Sequence, residues 1–518
     1  MPITTLGALN TTALIVPDLY VQIVPPQTLL LNGVPTDVAG IVGSASWGPV
    51  NEPMVIGSMA DYALGFGPVM ARPFDMGTAV AIAVQQGAGN FRCVRVTDGT
   101  DTAAAVTLFG AIEFTAIYTG SLGNMLSVAL SPGSAVNSWR LTISMPGRPP
   151  EVFDNLLGTG NALWQAVANA VNQGTGPLRG ASQLVVATAG TSSIAPSAGV
   201  YPFSAGIAGS DGVATLSANY LVGQDTVPRT GMFALRSQGC TLAMLADMTD
   251  STQWSVLVAF GVEEGCYMIL AGPAGDTITN AVATKQAAGI DTYAAKMMFG
   301  DWIWWYDQAN QLTRLVSPQA FVLGRLANLS PEQSSLNKPL YGVVGSQKSG
   351  QSPSGISNSY ATADLAALLS AGIDVIANPQ PGGNFWGVRG GHNSSSNVAI
   401  NGDNYTRLTN YIAATLSAGM GAYVGQVINA TLFQQVRGTL LAFLNAMLSQ
   451  GLLGSTNGSL PFAVVCDLSN NPASRTALGY LQADVQVLYQ AINEKFIVNV
   501  QGGQTVQVSQ QTLPQGTV

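Results

Sequence analysis

The sequence predicts an α/β and α+β multidomain protein: an α/β core with a βαβαβ unit, a helix-rich C-terminal part, a β-rich module and extended chain ends. Three observations lead there. Strand-like and helix-like runs alternate from 240 to 305, the pattern of parallel strands joined by right-handed crossovers. Short strand-like runs surround a single helical pattern between 98 and 204. Both ends of the chain lack any core periodicity. With 518 residues the chain is long enough for several separate cores.

In chain order, residues 1–35 form an extended arm, because Pro17, Pro25, Pro26 and Pro35 forbid a long helix. Within it, 19–24 (LYVQIV) has the composition of an edge strand. Residues 36–97 begin a compact core, with a strand at 38–42, a helix near 75–86 and a strand at 91–96. Strand-like runs at 105–118, 125–131, 138–145 and 183–188 surround a helix at 161–172, whose Leu163, Val167 and Val171 share one face. The core resumes over 205–390 with strand 240–246, helix 252–263, strand 266–270, helix 276–288 and strand 292–305. A further helix–strand pair follows at 361–371 and 373–377.

Residues 391–495 read as helix-rich. Leu408, Ile412 and Leu416 mark one helix. Phe433, Val436, Leu440, Phe443 and Met447 mark a second, and Leu478, Leu481, Val485, Leu488 and Ile492 a third. Residues 462–466 (FAVVC) lie between the last two as a buried-type strand. The chain closes as FIVNVQ-GG-QTVQVS, two strand-like runs around Gly502-Gly503. Residues 496–518 therefore form a C-terminal strand and arm.

Composition narrows the function. Only 9% of residues are charged, against about 25% in an average soluble domain. Gly, at 59 residues, and small neutral polar side chains take their place. A surface of this kind belongs inside an assembly or risks aggregation. With 47% apolar residues the chain is not disordered. Mean hydropathy is +0.29, yet no window reaches the roughly 18 consecutive apolar residues of a spanning helix. Net charge is −8 with no basic stripe, so neither nucleic-acid binding nor membrane insertion is expected. Cys93, Cys240, Cys266 and Cys466 are scattered, which argues for a reducing compartment without zinc or disulfides. The opening MPITTLGALN lacks the regions of a signal peptide, so cytoplasmic synthesis is expected.

Signals for catalysis or cofactor binding are weak, and neither is expected. His392, the only histidine, sits in GGHNSSSN with no carboxylate neighbour in sequence. Asp247-Met248-Thr249-Asp250-Ser251 approximates the start of a von Willebrand A-type metal site, but a helix cap at Asp250 or Ser251 explains it as well. Trp302, Trp304 and Trp305 read as aromatic packing at a strand end rather than as a ligand platform. Two alternatives stand beside an assembly role: another self-assembling shell protein, or a metal-dependent α/β ligand-binding protein centred on Asp247.

Six segments in order resemble the contractile-tail sheath proteins of bacteriophages and the related sheaths of tailocins and contractile injection systems. VPDLYVQIV is similar to the family's P-G-V-Y-x-x-E through Pro17, Tyr20 and Val21, with Asp18 in the glycine's place. GIVGSASWGPVNEPMVIGSMADYALGFG is similar to its G-x-x-x-x-G-P-x-N-x-P block through Gly43, Gly48, Pro49, Asn51, Pro53, Phe66 and Gly67. AIYTGSLGNMLSV matches A-x-Y-x-G-x-x-G-N through Tyr118, Gly120, Gly123 and Asn124, and IAGSDG matches G-G-x-D-G with Ala208 as the exception. NFWGVRG resembles V-W-G-A-R-T through Trp386, Gly387 and Arg389. FAVVCDLSNNP with the closing EKFIVNV resembles C-D-x-x-N-N-P and the last strand.

The resemblance implies a non-enzymatic subunit of homo-hexameric rings stacked around an inner tail tube protein, between a baseplate and a tail terminator. Such a sheath would be assembled in the host bacterial cytoplasm and carried on the virion. It implies a core split by an inserted protruding domain, here 98–204, and contraction that drives the tube through the cell envelope for genome delivery. It also implies strand exchange between subunits through both arms. Leu19, Tyr20, Val21 and Ile23 would supply one exchanged strand and Val506 and Val508 the other. Phe496, Ile497, Val498 and Val500 would form the receiving core strand. A private hairpin over 496–509 is the alternative.

Overall fold

The computed structural model describes residues 5–6, 22–23, 31–177, 179–351 and 359–500. Two short strands, β1 (Thr5–Leu6) and β2 (Gln22–Ile23), pair in parallel. The first compact stretch follows as β3 (Ala39–Gly43), β4 (Pro53–Ile56), α1 (Met59–Phe66), α2 (Met76–Gln85) and β5 (Phe91–Arg95). Both helices start on an acceptor side chain: Ser58 takes the amide of Asp61, and Asp75 that of Thr78.

The chain then forms β6 (Ala105–Leu108), β7 (Ile112–Ala116), β8 (Ser127–Pro132), β9 (Trp139–Ser144), β10 (Glu151–Leu156), α3 (Asn161–Gln173), β11 (Val185–Ala189) and β12 (Gly199–Pro202). These strands make two antiparallel sheets, ordered β11-β7-β6 and β10-β9-β8-β12. Leu163, Trp164, Val167 and Val171 of α3 pack with Phe114, Leu141 and Phe153 into one core.

After α4 (Ala218–Val222), the alternating elements are β13 (Leu242–Leu245), α5 (Trp254–Glu264), β14 (Tyr267–Ala271), α6 (Ile278–Ala287) and β15 (Ala295–Met298). Next come β16 (Ile303–Asp307), β17 (Leu312–Val316), α7 (Gln319–Ala327), β18 (Val343–Ser346), α8 (Thr362–Ser370), β19 (Ile373–Asp374), β20 (Ile376–Ala377) and β21 (Gly387–Val388). The C-terminal part holds α9 (Asp403–Gly419), α10 (Ala430–Ser449), β22 (Phe462–Val465), α11 (Ala473–Thr476) and β23 (Asp484–Val487).

A seven-stranded sheet, ordered β19-β15-β14-β13-β3-β5-β4, unites the two halves of the core. It is parallel except for the edge strand β4. Its central strands β14, β13 and β3 are apolar on both faces because helices cover both. Ile41, Phe91, Met244 and Ile269 face α1, α2 and α7, while Val42, Leu245, Met268 and Leu270 face α5, α6 and α8. Helices α2 and α7 cross closely at Gly324, where a Cβ would lie 2.5 Å from Ala83 Cα. Only glycine permits that approach.

The β-rich module meets the core where three of the quoted sequence blocks converge. Leu122 donates its amide to Ser46 O, and the buried Arg95 donates to Gly48 O at 2.7 Å and Thr119 O at 2.8 Å. Asn124 holds both main-chain groups of Gly209, and Asp211 pairs with Arg72 while accepting the Ser121 amide.

Several expectations are corrected. The strand expected over 292–305 breaks at Gly300: β15 joins the parallel sheet, whereas β16 lies between β17 and β18 in a separate antiparallel one. The strand expected at 373–377 divides likewise, β19 pairing with β15 and β20 with β21. The third C-terminal helix does not form. Gly479, at φ +85°, ends the short α11, and 484–487 pair with β22 instead. Val485 and Val487 then face the α9–α10 core while Asp484 and Gln486 face outward, a period of two that the helical reading overlooked. Residues 462–466 are not a fully buried strand, since Phe462 and Val464 are buried while Ala463 and Val465 are exposed. Helices α1 and α7 and strands β4, β10 and β12 were not expected.

Candidate assembly interface

The C-terminal sheet consists of β22 and β23 alone, antiparallel, with Phe462 opposite Val487 and Val465 opposite Asp484. Its inner face rests on α10, where Phe433, Val436, Leu440 and Phe443 are buried with Phe462 and Val464. Each strand spends one edge on the other, so each has a second edge with no strand beside it among the described residues. Asn471 braces the sheet from below. Its side chain takes the Gln482 amide at 2.6 Å and donates to Gln482 O at 2.8 Å and Asp467 O at 3.0 Å.

Helix α9 fixes this region to the core through a buried ionic network. Lys296 of β15 lies 2.7 Å from Asp374 and 3.0 Å from Asp403, the first residue of α9. Asp374 also accepts the amides of Gly390 and Gly391, and Asp403 accepts from Tyr267 and Ser335. Burial alone would lower the Lys296 ammonium, but the Asp374 and Asp403 carboxylates outweigh it and hold it above its usual range. Burial pushes Asp403 up, yet Lys296 and the hydroxyls of Ser335 and Tyr267 hold it below the usual carboxylate range. One turn on, Arg407 donates to the carbonyls of Ser330, Leu329 and Thr36, with burial lowering its pKa to about 10.

Beyond β23 the chain runs over α9 without regular structure. Phe496, Ile497, Val498 and Val500 are solvent-exposed, Phe496 at 83% and Val500 at 86%. The segment expected as a receiving core strand forms no strand among the described residues, although its composition is that of one. Ile23 sits in β2 opposite Leu6. Leu19, Tyr20, Val21, Val506 and Val508 lie outside the described residues.

The other candidates resolve into ordinary roles. Asp250 accepts the Thr252 amide as a cap, and the half-buried Asp247 accepts the Phe74 amide at 3.0 Å. Among the described residues no three His, Cys, Asp or Glu side chains are grouped to hold a metal ion. His392 does have a carboxylate partner, Glu494, at 2.7 Å and 102 residues away in sequence. Trp305 is buried and donates to Gln85, and Trp302 donates to Gly272 O. No helix of the described residues is long and apolar enough to cross a membrane. Lys296, Asp374 and Asp403 were missed in the sequence. The available signal was Lys296 itself, a lone cation inside the apolar run AAKMMF.

No family model matches the chain, and no curated protein matches it by sequence. Solved structures do. The sheath tail protein of Listeria innocua matches at TM-score 0.60 and 14% identity, over 85% of this chain and 90% of its own. The sheath tail protein of Desulfitobacterium hafniense gives 0.58 and 17%, over 86% and 93%. The contracted sheath complex of an extracellular contractile injection system gives 0.55 and 13%, over 94% and 97%. The chain has the fold of these sheath proteins.

Proposed function

We propose that this chain, built on the sheath fold, is a structural subunit of a contractile sheath and not an enzyme. The observation that carries the reading is the fold match over nearly the whole chain, the C-terminal part included. In that part the structure leaves a two-stranded sheet with open edges beside an exposed apolar segment. A lone pair of strands is marginal in water, and added strands from other copies would satisfy its free main-chain groups.

In this reading, copies form hexameric rings stacked around an inner tube, between a baseplate and a terminator. The chain ends add strands to neighbours: 19–24 and 505–509 are the donors, and 496–500 together with the free edges of β22 and β23 the receivers. Residues 36–97 and 205–390 form the core, 98–204 the protrusion and 391–495 the linking C-terminal domain, with arms at 1–35 and 496–518. Contraction exchanges one packing for another of lower free energy while the strands keep copies joined, a process that needs a barrier and no catalyst. On a phage, the sheath would be part of the virion and would serve genome delivery.

Negative-stain microscopy of the purified chain tests this. Rings or tubes are expected, and removal of residues 1–24 should abolish tubes while leaving the melting transition in place. Monomers alone under every salt condition, with a tube protein also present, would overturn it.

A further inference from the structure

Residues 488–494 leave β23 and cross α9 as a strap held at spaced points. The Leu488 amide donates to Pro461 O at 2.7 Å. The Tyr489 hydroxyl meets Thr409 Oγ1 at 3.1 Å, and its ring stands edge-on to Tyr405 at 5.7 Å. Asn404 Nδ2 donates to Gln490 O at 3.0 Å, and Glu494 meets the His392 ring at 2.7 Å. Between these points the strap is not packed down. A solvent-open cavity of about 760 Å³ lies beneath it, lined by Thr409, Ile412, Leu416, Val487 and Ile492 among others. The anchors on the other side belong to rigid parts: Asn404, Tyr405 and Thr409 are on α9, and the His392 main-chain carbonyl accepts from the buried Lys296.

We propose that 488–494 is a releasable strap, closed on α9 by the Tyr405–Tyr489 contact and the His392–Glu494 pair. Its anchors on α9 and at His392 are few and, apart from the buried Asn404, partly exposed, so it opens locally without unfolding the sheet or helices beside it. Opening transfers its seven residues to the extended segment that follows, roughly 23 Å of added reach at about 3.3 Å per residue. It also uncovers the apolar floor formed by Ile412 and Leu416. The use of that reach rests on the sheath reading, in which linked copies change their separation. The opening itself does not.

Native-state chymotrypsin digestion of the full-length subunit, under conditions without polymer, tests the strap. Phe496 is exposed and unpaired, so cleavage there is immediate and serves as an internal control. Cleavage at Tyr489 needs the strap open and reports the open population. The expected order is Phe496, then Tyr489, then any site in β22 or α10. Glu494→Gln should speed the Tyr489 cut about threefold and Tyr405→Leu about tenfold, with the later cuts unchanged.

Three results would each overturn the proposal. They are Tyr489 cleavage only together with β22 and α10, cleavage as fast as at Phe496 in the unaltered chain, and rates indifferent to both substitutions. Because no polymer is involved, failure here leaves the sheath reading standing, and failure of the microscopy leaves this result standing.

Discussion

The seven-stranded sheet and the C-terminal pair β22–β23 answer the same problem in opposite ways. The large sheet is closed. Helices cover both faces, one edge strand opens with Pro53, which cannot donate to another strand, and the other edge, β19, is only two residues long. The small sheet has one covered face, two edges with no strand beside them among the described residues, and an exposed apolar continuation. One chain thus contains a sheet complete by itself and one that is not.

The contrast also locates the missing charge. Some of the few ions are buried, Lys296, Asp374, Asp403 and Arg407 among them, and neutral amides brace the main chain at several other points. Gln86 holds both main-chain groups of Tyr341, Asn172 those of Ala187, Asn124 those of Gly209 and Asn471 those of Gln482. A side-chain amide offers a donor and an acceptor at strand-like spacing, and so substitutes for a strand neighbour without placing charge on the surface.

The sharpest test of the closed side is Lys296→Met. It leaves the Asp374 and Asp403 carboxylates buried without their cation, a loss of about 3–5 kcal/mol. Chemical denaturation should show that loss, with α9 detaching from the sheet at lower denaturant than in the unaltered chain. A change below 1 kcal/mol would mean that the network does not hold α9 to the sheet.

Asp75 gives a pH-dependent test of the same core. Burial is the largest influence on it and pushes its pKa up to about 6 from 3.8, against the pull of Arg72 and the Thr78 and Met70 donors. The folded form thus holds a proton that the unfolded chain has already lost between about pH 4 and 6. Its contribution to stability is greatest at about pH 4 and below, and declines by about 3 kcal/mol as pH rises to about 6. Asp75→Asn keeps a cap on α2 and removes this proton. Denaturation midpoints at pH 4, 5, 6 and 7 should show the unaltered chain losing that amount relative to the variant. A constant difference would refute the assignment.

On the open side, Asn471→Ala leaves the Gln482 amide, in the connection into β23, without its acceptor, at a cost of about 2 kcal/mol. The effect should be confined to the C-terminal transition, read by protection of β22 amides from hydrogen exchange.

How much of this was legible depends on where the determining contacts lie in the sequence. The parallel strands β3, β13 and β14 are continuous apolar runs, and α3, α9 and α10 carry clean helical stripes, so local pattern sufficed. Helix α7 was overlooked although Ser317-Pro318 precedes Phe321, Val322 and Leu326, a readable start. The stripe Leu478, Leu481, Val485, Leu488 and Ile492 satisfied a helical period by coincidence. Gly479 and pairing with β22 decided against it. The partners of Lys296 come from 374 and 403, and that of His392 from 494. Contacts of such separation leave no local trace. The arms were read from prolines, strand-type composition and the Gly502-Gly503 spacing, and over 496–500 such composition, with no strand beside it among the described residues, gives an exposed segment.

The smallest expected effect bears most directly on the comparison. Ending the chain after Lys495 removes an apolar segment whose Phe496, Ile497, Val498 and Val500 are exposed. Exposed residues of this kind contribute to interfaces and not to the fold that displays them. Thermal and chemical stability should therefore change by less than about 0.5 kcal/mol, while polymer formation is lost or strongly reduced. If the truncation instead destabilises β22–β23, the segment is part of the C-terminal domain and the small sheet is not an open acceptor. If polymers form as before, the strands that join copies come from elsewhere, and the outward-facing main-chain groups of β22 and β23 become the next positions to block.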